Sequence, residues 1–346
     1  MRHRWLWTTL GALVVVLGIA TGGLYAYDAT RADVVAQGVT AGGVEVGGLG
    51  AQAARRRLRR DLVPRVERPV TLTYRRRSFV LTPAKAQLAV DVRGMVDEAV
   101  AESRRGNFFS RAFRDVRGRD LHVAVPLRTE YSATAVDAFV RRVRKAVQRP
   151  ARDASVVASS TSLSVVPAHS GVGVPKRLLR QTVTRELTDP DAAHTSAVPT
   201  RTVRPKTNAW DLRQRYPAYI LICRSCFQLR LYVHLKLQRV YRIAVGRQGL
   251  ETPAGLYEID DKQVNPSWHV PNSAWAGDLA GRIIPPGPDD PIKARWLGFY
   301  NGAGIHGTDD VWSLGTAASH GCIRMSIPDV IELYELVPLH TPIYVG

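Results

Sequence analysis

A glycine-rich stretch near the C-terminus places one cysteine among histidines, and it constrains the fold more than any other part of the sequence. The cysteine lies in the segment Ser319-His320-Gly321-Cys322-Ile323-Arg324, and His306 precedes Cys322 by 16 residues. Glycines at positions 302, 304, 307, 315 and 321 permit the close backbone approach that a compact site requires. A strand that carries His306 beside a loop that carries Cys322 would bring the imidazole within hydrogen-bond reach of the thiol.

The combination of a thiol and an imidazole is typical of nucleophilic catalysis. A cysteine becomes an effective nucleophile when a neighbouring base or cation generates the thiolate. Cys322 is therefore the candidate nucleophile and His306 the candidate base. A buried structural cysteine is the alternative for Cys322, and the Ser-His-Gly context disfavours it. The spacing alone indicates a cysteine acyltransferase or hydrolase.

This pattern resembles the L,D-transpeptidase family of peptidoglycan-crosslinking enzymes, also called the YkuD-like domain. The signature of that family is a histidine, a spacer of similar length, then Ser/Thr-His-Gly-Cys, an apolar residue and Arg or Asn, and His306 with residues 319–324 matches each position. Thr252-Pro253-Ala254-Gly255 is similar to the TPxG turn of the family. The resemblance implies a mainly β catalytic domain at 215–346, folded as a YkuD-like β-sandwich with a short helix.

The resemblance also implies which backbone groups assist the cysteine and the histidine. The carbonyl of Gly307 would orient the imidazole of His306, so that no carboxylate is required. The backbone N–H groups of Gly321 and Cys322 are predicted to stabilise the oxyanion of the tetrahedral intermediate.

Three more side chains of the motif are candidate substrate contacts: Ser319, His320 and Arg324. An arginine can hold a carboxylate through two parallel hydrogen bonds, and for Arg324 a local ion pair with Asp329 is the alternative. For His320, support of the loop ranks slightly ahead of substrate contact. The motif requires no metal and no cofactor.

An apolar segment near the N-terminus predicts the compartment. Trp5–Tyr27 contains no charged residue and is long enough to span a bilayer as a helix. Arg2 and Arg4 precede it, which favours a cytoplasmic N-terminus. We therefore expect residues 1–28 to form a cytoplasmic stub and a single-pass plasma-membrane anchor, with the later domains on the cell-wall side. A cleaved signal peptide is the alternative, disfavoured because no clean small-x-small cleavage site follows the apolar run.

The charge of the chain indicates an anionic partner. The formal net charge is +18 in 346 residues, mostly from arginine, and this length predicts more than one domain. Since the predicted anchor places the domains outside the cell, nucleic acid is not an expected partner. Peptidoglycan stem peptides, and anionic wall polymers that carry phosphate or carboxylate, are the expected partners.

Residues 31–206 are predicted to form a duplicated α+β region. The units Leu81-Thr82-Pro83-Ala84 and Val165-Val166-Pro167-Ala168 lie 84 residues apart, and a helical stretch follows each. Helix candidates at 51–62 and 135–147, with apolar residues at helical spacing, precede them. The region resembles the peptidoglycan-binding domains that precede YkuD domains in Gram-positive bacteria. Its arginine runs at 55–60 and 75–77 are candidate contacts to wall phosphates or to the carboxylates of stem peptides, the alternative being solvated surface.

The sequence from 215 onward predicts short strands, a helix at Ile327–Leu336 and a closing strand at Thr341–Val345. The stretch 265–291 is long, irregular and rich in proline, glycine and tryptophan, which favours a functional loop. The resemblance assigns it to a cap over the substrate cleft, and an ordered surface loop is the alternative. Cys223 and Cys226 are not expected to be catalytic, and an oxidising compartment would permit a disulfide between them.

The resemblance implies a two-step acyl transfer that forms 3→3 crosslinks between stem peptides. The thiolate of Cys322 would attack the carbonyl of the third stem residue and expel D-Ala, and an amine of a neighbouring stem would then resolve the thioester. A sortase-like cysteine transpeptidase is one alternative, although the sequence contains no TLxTC run. A non-catalytic cell-wall-binding protein is the alternative from a different class.

Overall fold

The computed structural model describes residues 15, 18, 19 and 21–346. More than half of the predicted anchor Trp5–Tyr27 therefore lies outside the described residues. The described stretch 21–30, which includes the end of that segment, is helical. Within the described ranges, no helix is both long enough and apolar enough to cross a membrane.

The elements in the first part of the chain are short strands interleaved with helices. In chain order they are β1 Val39–Ala41, β2 Val44–Glu45, α1 Ala51–Asp61, α2 Val63–Val66, β3 Val70–Tyr74, β4 Arg77–Leu81, α3 Pro83–Ala86, β5 Ala89–Val90, α4 Val92–Ser103, α5 Phe108–Val116, β6 Val123–Val125, β7 Thr129–Glu130, α6 Ala133–Val147, β8 Ser155–Ala158, β9 Leu163–Val166, β10 Gly171–Gly173, α7 Lys176–Thr188, β11 Thr195–Ala197 and β12 Arg201–Val203.

The later elements are mostly strands. They are α8 Ala209–Arg215, β13 Ala218–Cys223, β14 Gln228–Val233, β15 Lys236–Arg242, β16 Val245–Gly246, β17 Gly255–Glu258, β18 Asp261–Val264, β19 Trp268–His269, a 3-10 helix at Ala274–Leu279, β20 Ile283–Ile284, β21 Lys293–Tyr300, β22 Ala303–Thr308, a 3-10 turn at Val311–Ser313, β23 Ala317–Ser319, β24 Ile323–Ser326, α9 Ile327–Leu336 and β25 Pro342–Val345.

The first compact unit, Met1–Arg149 with Val172–Arg201, has an α+β core. Helix α1 packs against α4, and α6 packs against α7, through apolar residues that recur at helical spacing. In α6 these residues are Val136, Phe139, Val140, Val143 and Val147, all buried. Ser132 caps the start of α6, since its hydroxyl accepts a hydrogen bond of 3.2 Å from the Ala135 N–H.

Several elements of this region recur at one offset. Strands β1 and β6 begin at Val39 and Val123, helices α4 and α7 begin at Val92 and Lys176, and both offsets are 84 residues. Strands β1 and β6 also pair with each other in parallel. This offset equals the one between the two sequence units, and the duplication itself stays a prediction.

The second compact unit, Pro150–Gly171 with Thr202–Gly346, includes a hairpin that the sequence places in the preceding region. The predicted domain boundary at 206 therefore differs from the structure, in which residues 150–171 join the C-terminal unit. The physical reason is packing of the β8–β9 hairpin, whose apolar side chains Val156, Ala158 and Leu163 contact the cluster Tyr219, Leu221 and Tyr232.

The second unit is mostly β, as predicted. One sheet has the order β15-β14-β13-β25-β17 and another has the order β18-β21-β22-β24. Both sheets contribute to one apolar core, for example Ile220 and Ile343 from the first and Ile305 and Met325 from the second. Helix α9 completes this core, and its bounds Ile327–Leu336 agree with the prediction from sequence. The sheet that holds β22 and β24 carries the residues of the predicted site.

Candidate active site

A cavity of about 990 Å³ brings the predicted site residues together. Its walls include Cys322, His306, Arg324 and His320, together with residues of the stretch 265–291. That stretch is less irregular than predicted, because β19 pairs with β20 and the 3-10 helix Ala274–Leu279 lies between them. The predicted cap therefore forms a folded hairpin that lines the cavity.

The strand register explains why the key side chains meet. Strands β22 and β24 are parallel, and His306 is paired with Arg324. Side chains at paired positions of neighbouring strands lie on one face of a sheet, and residues two apart share that face. Cys322 precedes Arg324 by two residues, so His306, Arg324 and Cys322 all face the cavity.

His306 is held in one orientation by its own strand. Its side chain is buried, and Nδ1 lies 2.8 Å from the carbonyl oxygen of Gly307. A carbonyl oxygen only accepts hydrogen bonds, so Nδ1 is the donor, and the neutral imidazole keeps Nε2 as an acceptor. Burial lowers the pKa of His306 to about 4, and the positive charge of Arg324 acts in the same direction. At neutral pH the ring is therefore an uncharged proton acceptor.

The turn that presents Cys322 is fixed by Ser319. The Ser319 hydroxyl donates to the Cys322 carbonyl oxygen at 2.5 Å and accepts from the Gly321 N–H at 3.2 Å. Gly321 has a φ of 117°, a conformation that favours glycine. Ser319 is only 1% exposed and supports this turn, although it also lies in the cavity wall, and its predicted substrate contact stays a prediction.

The hydrogen bond from Gly321 to Ser319 also corrects the predicted oxyanion site. The Gly321 N–H was expected to face the substrate, but here it donates to the Ser319 hydroxyl. A nearby hydroxyl competes for a backbone donor in this way because the two groups lie two residues apart.

The thiol of Cys322 is a protonated group at rest. Burial raises its pKa, and a hydrogen bond from the Gly304 backbone and the charge of Arg324 offset this only in part. Sγ lies 3.8 Å from the carbonyl oxygen of Gly302 and donates to it. With the low pKa of His306, this arrangement favours a neutral thiol and imidazole over an ion pair.

Arg324 has a carboxylate partner, but not the one considered from sequence. Its Nη1 lies 3.4 Å from Oδ2 of Asp310, whereas Asp329 belongs to the first turn of α9 and its N–H donates to Ser326. The Asp310 carboxylate is half exposed, so this ion pair is a weak one. A substrate carboxylate can therefore compete for the guanidinium.

His320 connects the nucleophile loop to the cap. Its ring stacks on Trp275 with the ring centroids 4.2 Å apart and the planes 12° apart. His320 is exposed and lines the cavity, and its role as a substrate contact stays a prediction. Burial by neighbouring groups and the charge of Arg247 lower its pKa.

Sequence reasoning missed Trp296, which lies beside the histidine. Its ring centroid is 6.2 Å from that of His306, and a Cβ on Gly304 would come within 2.5 Å of the indole. The sequence did signal the hairpin, since Asn301-Gly302 is a typical two-residue hairpin turn and both residues have positive φ. A regular hairpin at that turn would place Leu297 opposite His306, and a register shift between Gly298 and Tyr300 places Trp296 there instead.

Cys223 and Cys226 form a disulfide across the turn between β13 and β14. The turn also carries Arg224, whose Nη1 donates to the carbonyl oxygen of Thr252 at 2.9 Å. The buried Thr252 hydroxyl in turn accepts from the Gly246 N–H at 2.9 Å. Gly246 pairs with Ser319, so the predicted TPxG turn is linked to the loop that presents the nucleophile.

Comparison with protein families divides the chain in two. Residues 217–345 match the YkuD family, described as "L,D-transpeptidase catalytic domain". Residues 79–192 match a family described as "Putative peptidoglycan binding domain". The first match covers the cavity, and the second lies in the region that resembled such a domain by sequence.

Individual relatives each match about a third of the chain. The chain is 31% identical over 133 residues to "Putative L,D-transpeptidase YqjB" of Bacillus subtilis, which covers 37% of this chain and 70% of that protein. It is 37% identical over 111 residues to "Putative L,D-transpeptidase YkuD" of Bacillus licheniformis, which covers 32% of this chain and 54% of that protein. It also aligns with the catalytic domain of an E. faecium L,D-transpeptidase at 23% identity and a TM-score of 0.31, over 38% of this chain and 98% of that one. Because YqjB is matched over more than two thirds of its length, this chain belongs to the L,D-transpeptidase family of acyltransferases that act on peptidoglycan.

Proposed function

We propose that this chain forms 3→3 crosslinks in peptidoglycan through a thioester on Cys322. The observation that carries the proposal is the orientation of His306, whose Nδ1–H is held by Gly307. This contact leaves Nε2 as a proton acceptor on the sheet face that also presents Cys322. A sortase-like transpeptidase would use similar residues, and the family match favours the L,D-transpeptidase activity.

The first step is acylation by a tetrapeptide stem. As Sγ of Cys322 attacks the carbonyl carbon of the third stem residue, its proton passes to Nε2 of His306. The tetrahedral intermediate then collapses, the bond to D-Ala breaks, and the same proton passes from His306 to the leaving amine. The products are a thioester on Cys322 and free D-Ala.

The second step transfers the acyl group to an amine of a neighbouring stem. The amine attacks the thioester carbon and gives up a proton to the neutral His306. The C–S bond breaks, Sγ takes that proton back, and an amide links two third residues. Arg324 would hold a carboxylate of one of the stems, in competition with Asp310.

A donor tetrapeptide should label the enzyme at Cys322. We expect a mass increase equal to the donor minus D-Ala, located on the peptide that contains Cys322, and free D-Ala in solution. Adding an acceptor stem should discharge the adduct into a crosslinked dimer, and a carbapenem should acylate the same cysteine. Cys322→Ser should give neither adduct.

The outcomes of this experiment separate the alternatives. An adduct that yields only hydrolysed tripeptide would indicate a hydrolase. A folded protein that retains stem peptides without forming any adduct would indicate a wall-binding protein. Acylation of Cys322 by a protein sorting peptide, with no adduct from the tetrapeptide stem, would indicate a sortase-like activity.

We also propose that Trp5–Tyr27 anchors the protein in the plasma membrane with both units on the wall side. The support is the uncharged apolar run that follows Arg2 and Arg4. Cell fractionation should find the full-length protein in membranes, and protease cleavage just after Asp28 should release it. Recovery of only a shortened protein from the medium would favour a cleaved signal peptide instead.

A further inference from the structure

The first unit carries two stretches rich in cations and without acidic residues. Residues 68–90 contain no Asp or Glu, and two of their three consecutive arginines, Arg75 and Arg76, form the β3–β4 turn while Arg77 begins β4. Residues 138–149 also contain no Asp or Glu, and they supply Arg141, Arg142 and Lys145 on helix α6. All six side chains belong to exposed residues.

The fold brings these two stretches together. Nη1 of Arg77 donates to the carbonyl oxygen of Ala146 at 3.3 Å, and Nη2 of Arg142 donates to that of Val80 at 3.1 Å. Strand β4 therefore lies along the C-terminal half of α6. We call the resulting surface the basic strip: Arg75, Arg76, Arg77, Arg141, Arg142 and Lys145.

Three of the five arginines of helix α1 have carboxylate partners, unlike those of the basic strip. On α1, Arg55 pairs with Asp97 at 2.7 Å, and Arg57 and Arg60 both pair with Asp61, at 2.6 and 2.7 Å. In the part of the chain that the structure describes, none of the six basic-strip cations lies within 4.0 Å of a carboxylate. Like charges held side by side without counter-charges repel each other, and a bound polyanion would relieve that repulsion.

We infer that the basic strip binds a linear phosphodiester polymer of the cell wall, apart from the stem peptide that the cavity accepts. Five of its six cations are arginines, whose planar guanidinium groups match phosphate oxygens in pairs. The strip runs from the β3–β4 turn along one side of α6, so its charges are arranged in a row and not around a pocket. A row of cations matches the regularly spaced phosphates of a linear polymer. Arg75–Arg77 lie outside residues 79–192, the segment that matches the peptidoglycan-binding family, and the three cations of α6 lie within it. The inference does not depend on the chemistry at Cys322.

The test compares two variants with the same change in net charge. The strip variant is Arg76→Gln, Arg141→Gln, Lys145→Gln, which leaves the backbone contacts of Arg77 and Arg142 intact. The control variant is Arg55→Gln, Arg57→Gln, Arg60→Gln, which removes the three α1 arginines that have carboxylate partners. Circular dichroism and the carbapenem adduct at Cys322 establish that both variants are folded.

The probe is fluorescent poly(glycerol phosphate), titrated at several salt concentrations. We expect the strip variant to bind at least about tenfold more weakly than the parent chain and to show a shallower dependence of affinity on salt, because three phosphate contacts are lost. The control variant should stay within about twofold of the parent. An equal loss of affinity for the polymer in both variants would show that only the net charge matters, and it would overturn the inference.

Two further probes separate phosphodiester polymer from other anions. Polygalacturonate presents carboxylates at comparable charge density, and vesicles containing 30% phosphatidylglycerol present lipid phosphates (about a third of headgroups, a common anionic surface). The inference is supported if the protein binds both of these probes more weakly than it binds poly(glycerol phosphate). Binding of either probe as tight as that of the polymer, and lost in the strip variant, would assign the strip to carboxylates or to membrane and overturn it.

Discussion

His306→Ala is expected to slow acylation of Cys322 by about 10²- to 10⁴-fold at pH 7, the usual contribution of a general base. The effect should be large because burial raises the pKa of the Cys322 thiol, so almost no thiolate forms without a proton acceptor. The rate of adduct formation with a carbapenem or a donor stem, followed by mass spectrometry, measures it. Partial recovery at high pH is expected, since hydroxide then removes the proton.

The pH profile of the parent enzyme should identify the same base. Because burial holds the pKa of His306 at about 4, the imidazole stays neutral as pH falls from 7 and becomes protonated only near that value. Acylation should therefore be nearly constant from pH 7 to about 5 and fall below it, rather than fall near pH 6.5 as for an ordinary histidine.

His320→Ala is the matched control for this prediction. Its ring stacks on Trp275, so its loss should weaken substrate binding or stability, and high pH should not restore it. The assignment would be reversed by a folded His320→Ala enzyme that is inactive at pH 7 and recovers at high pH, beside an active His306→Ala enzyme.

Gly246→Ala should lower the free energy of unfolding by about 3 kcal/mol, at the upper end for an overpacked site. A Cβ at this position would lie 2.1 Å from the Leu250 carbonyl oxygen and 2.6 Å from the Thr252 nitrogen, and neither backbone atom can move like a flexible side chain. Since Gly246 pairs with Ser319, acylation should fall as well. Urea denaturation and the adduct rate measure the two effects.

Gly287→Ala is the control for this substitution. It lies in the same unit, and the nearest atom to its added Cβ is 4.0 Å away. We expect its stability to stay within about 0.5 kcal/mol of the parent, as for a surface change. Equal unfolding midpoints for Gly246→Ala and Gly287→Ala would contradict the proposed close packing at Gly246.

The sequence was most informative where local signals agree. Helix α9 begins after Ser326, with a proline in its first turn and apolar residues on one face, and its bounds were predicted without error. The sequence motif predicted that Cys322 and His306 share one site, and both residues line the same cavity, because β22 and β24 pair in parallel.

The sequence was least informative where residues from separate segments meet. The β8–β9 hairpin alternates half-buried and exposed residues, and nothing in that pattern specifies which core it covers. The partner of Arg324 could not be chosen from sequence either, since Asp310 and Asp329 are both near in the chain and only the turn geometry decides. The hydrogen bond from the Gly321 N–H to the Ser319 hydroxyl also depends on turn geometry that the sequence does not specify.

The disulfide at the β13–β14 turn has a consequence for how the chain matures. A chain with three cysteines can oxidise in three ways, and two of these would consume the nucleophile. Cys223 and Cys226 are 3 residues apart, whereas Cys322 is 99 and 96 residues from them. The entropic cost of closing a loop grows with its length, so the neighbouring pair meets far more often in an unfolded chain. In an oxidising environment Cys223 and Cys226 are therefore expected to form their disulfide early, before either can react with Cys322. Cys322 then remains a free thiol in the folded protein.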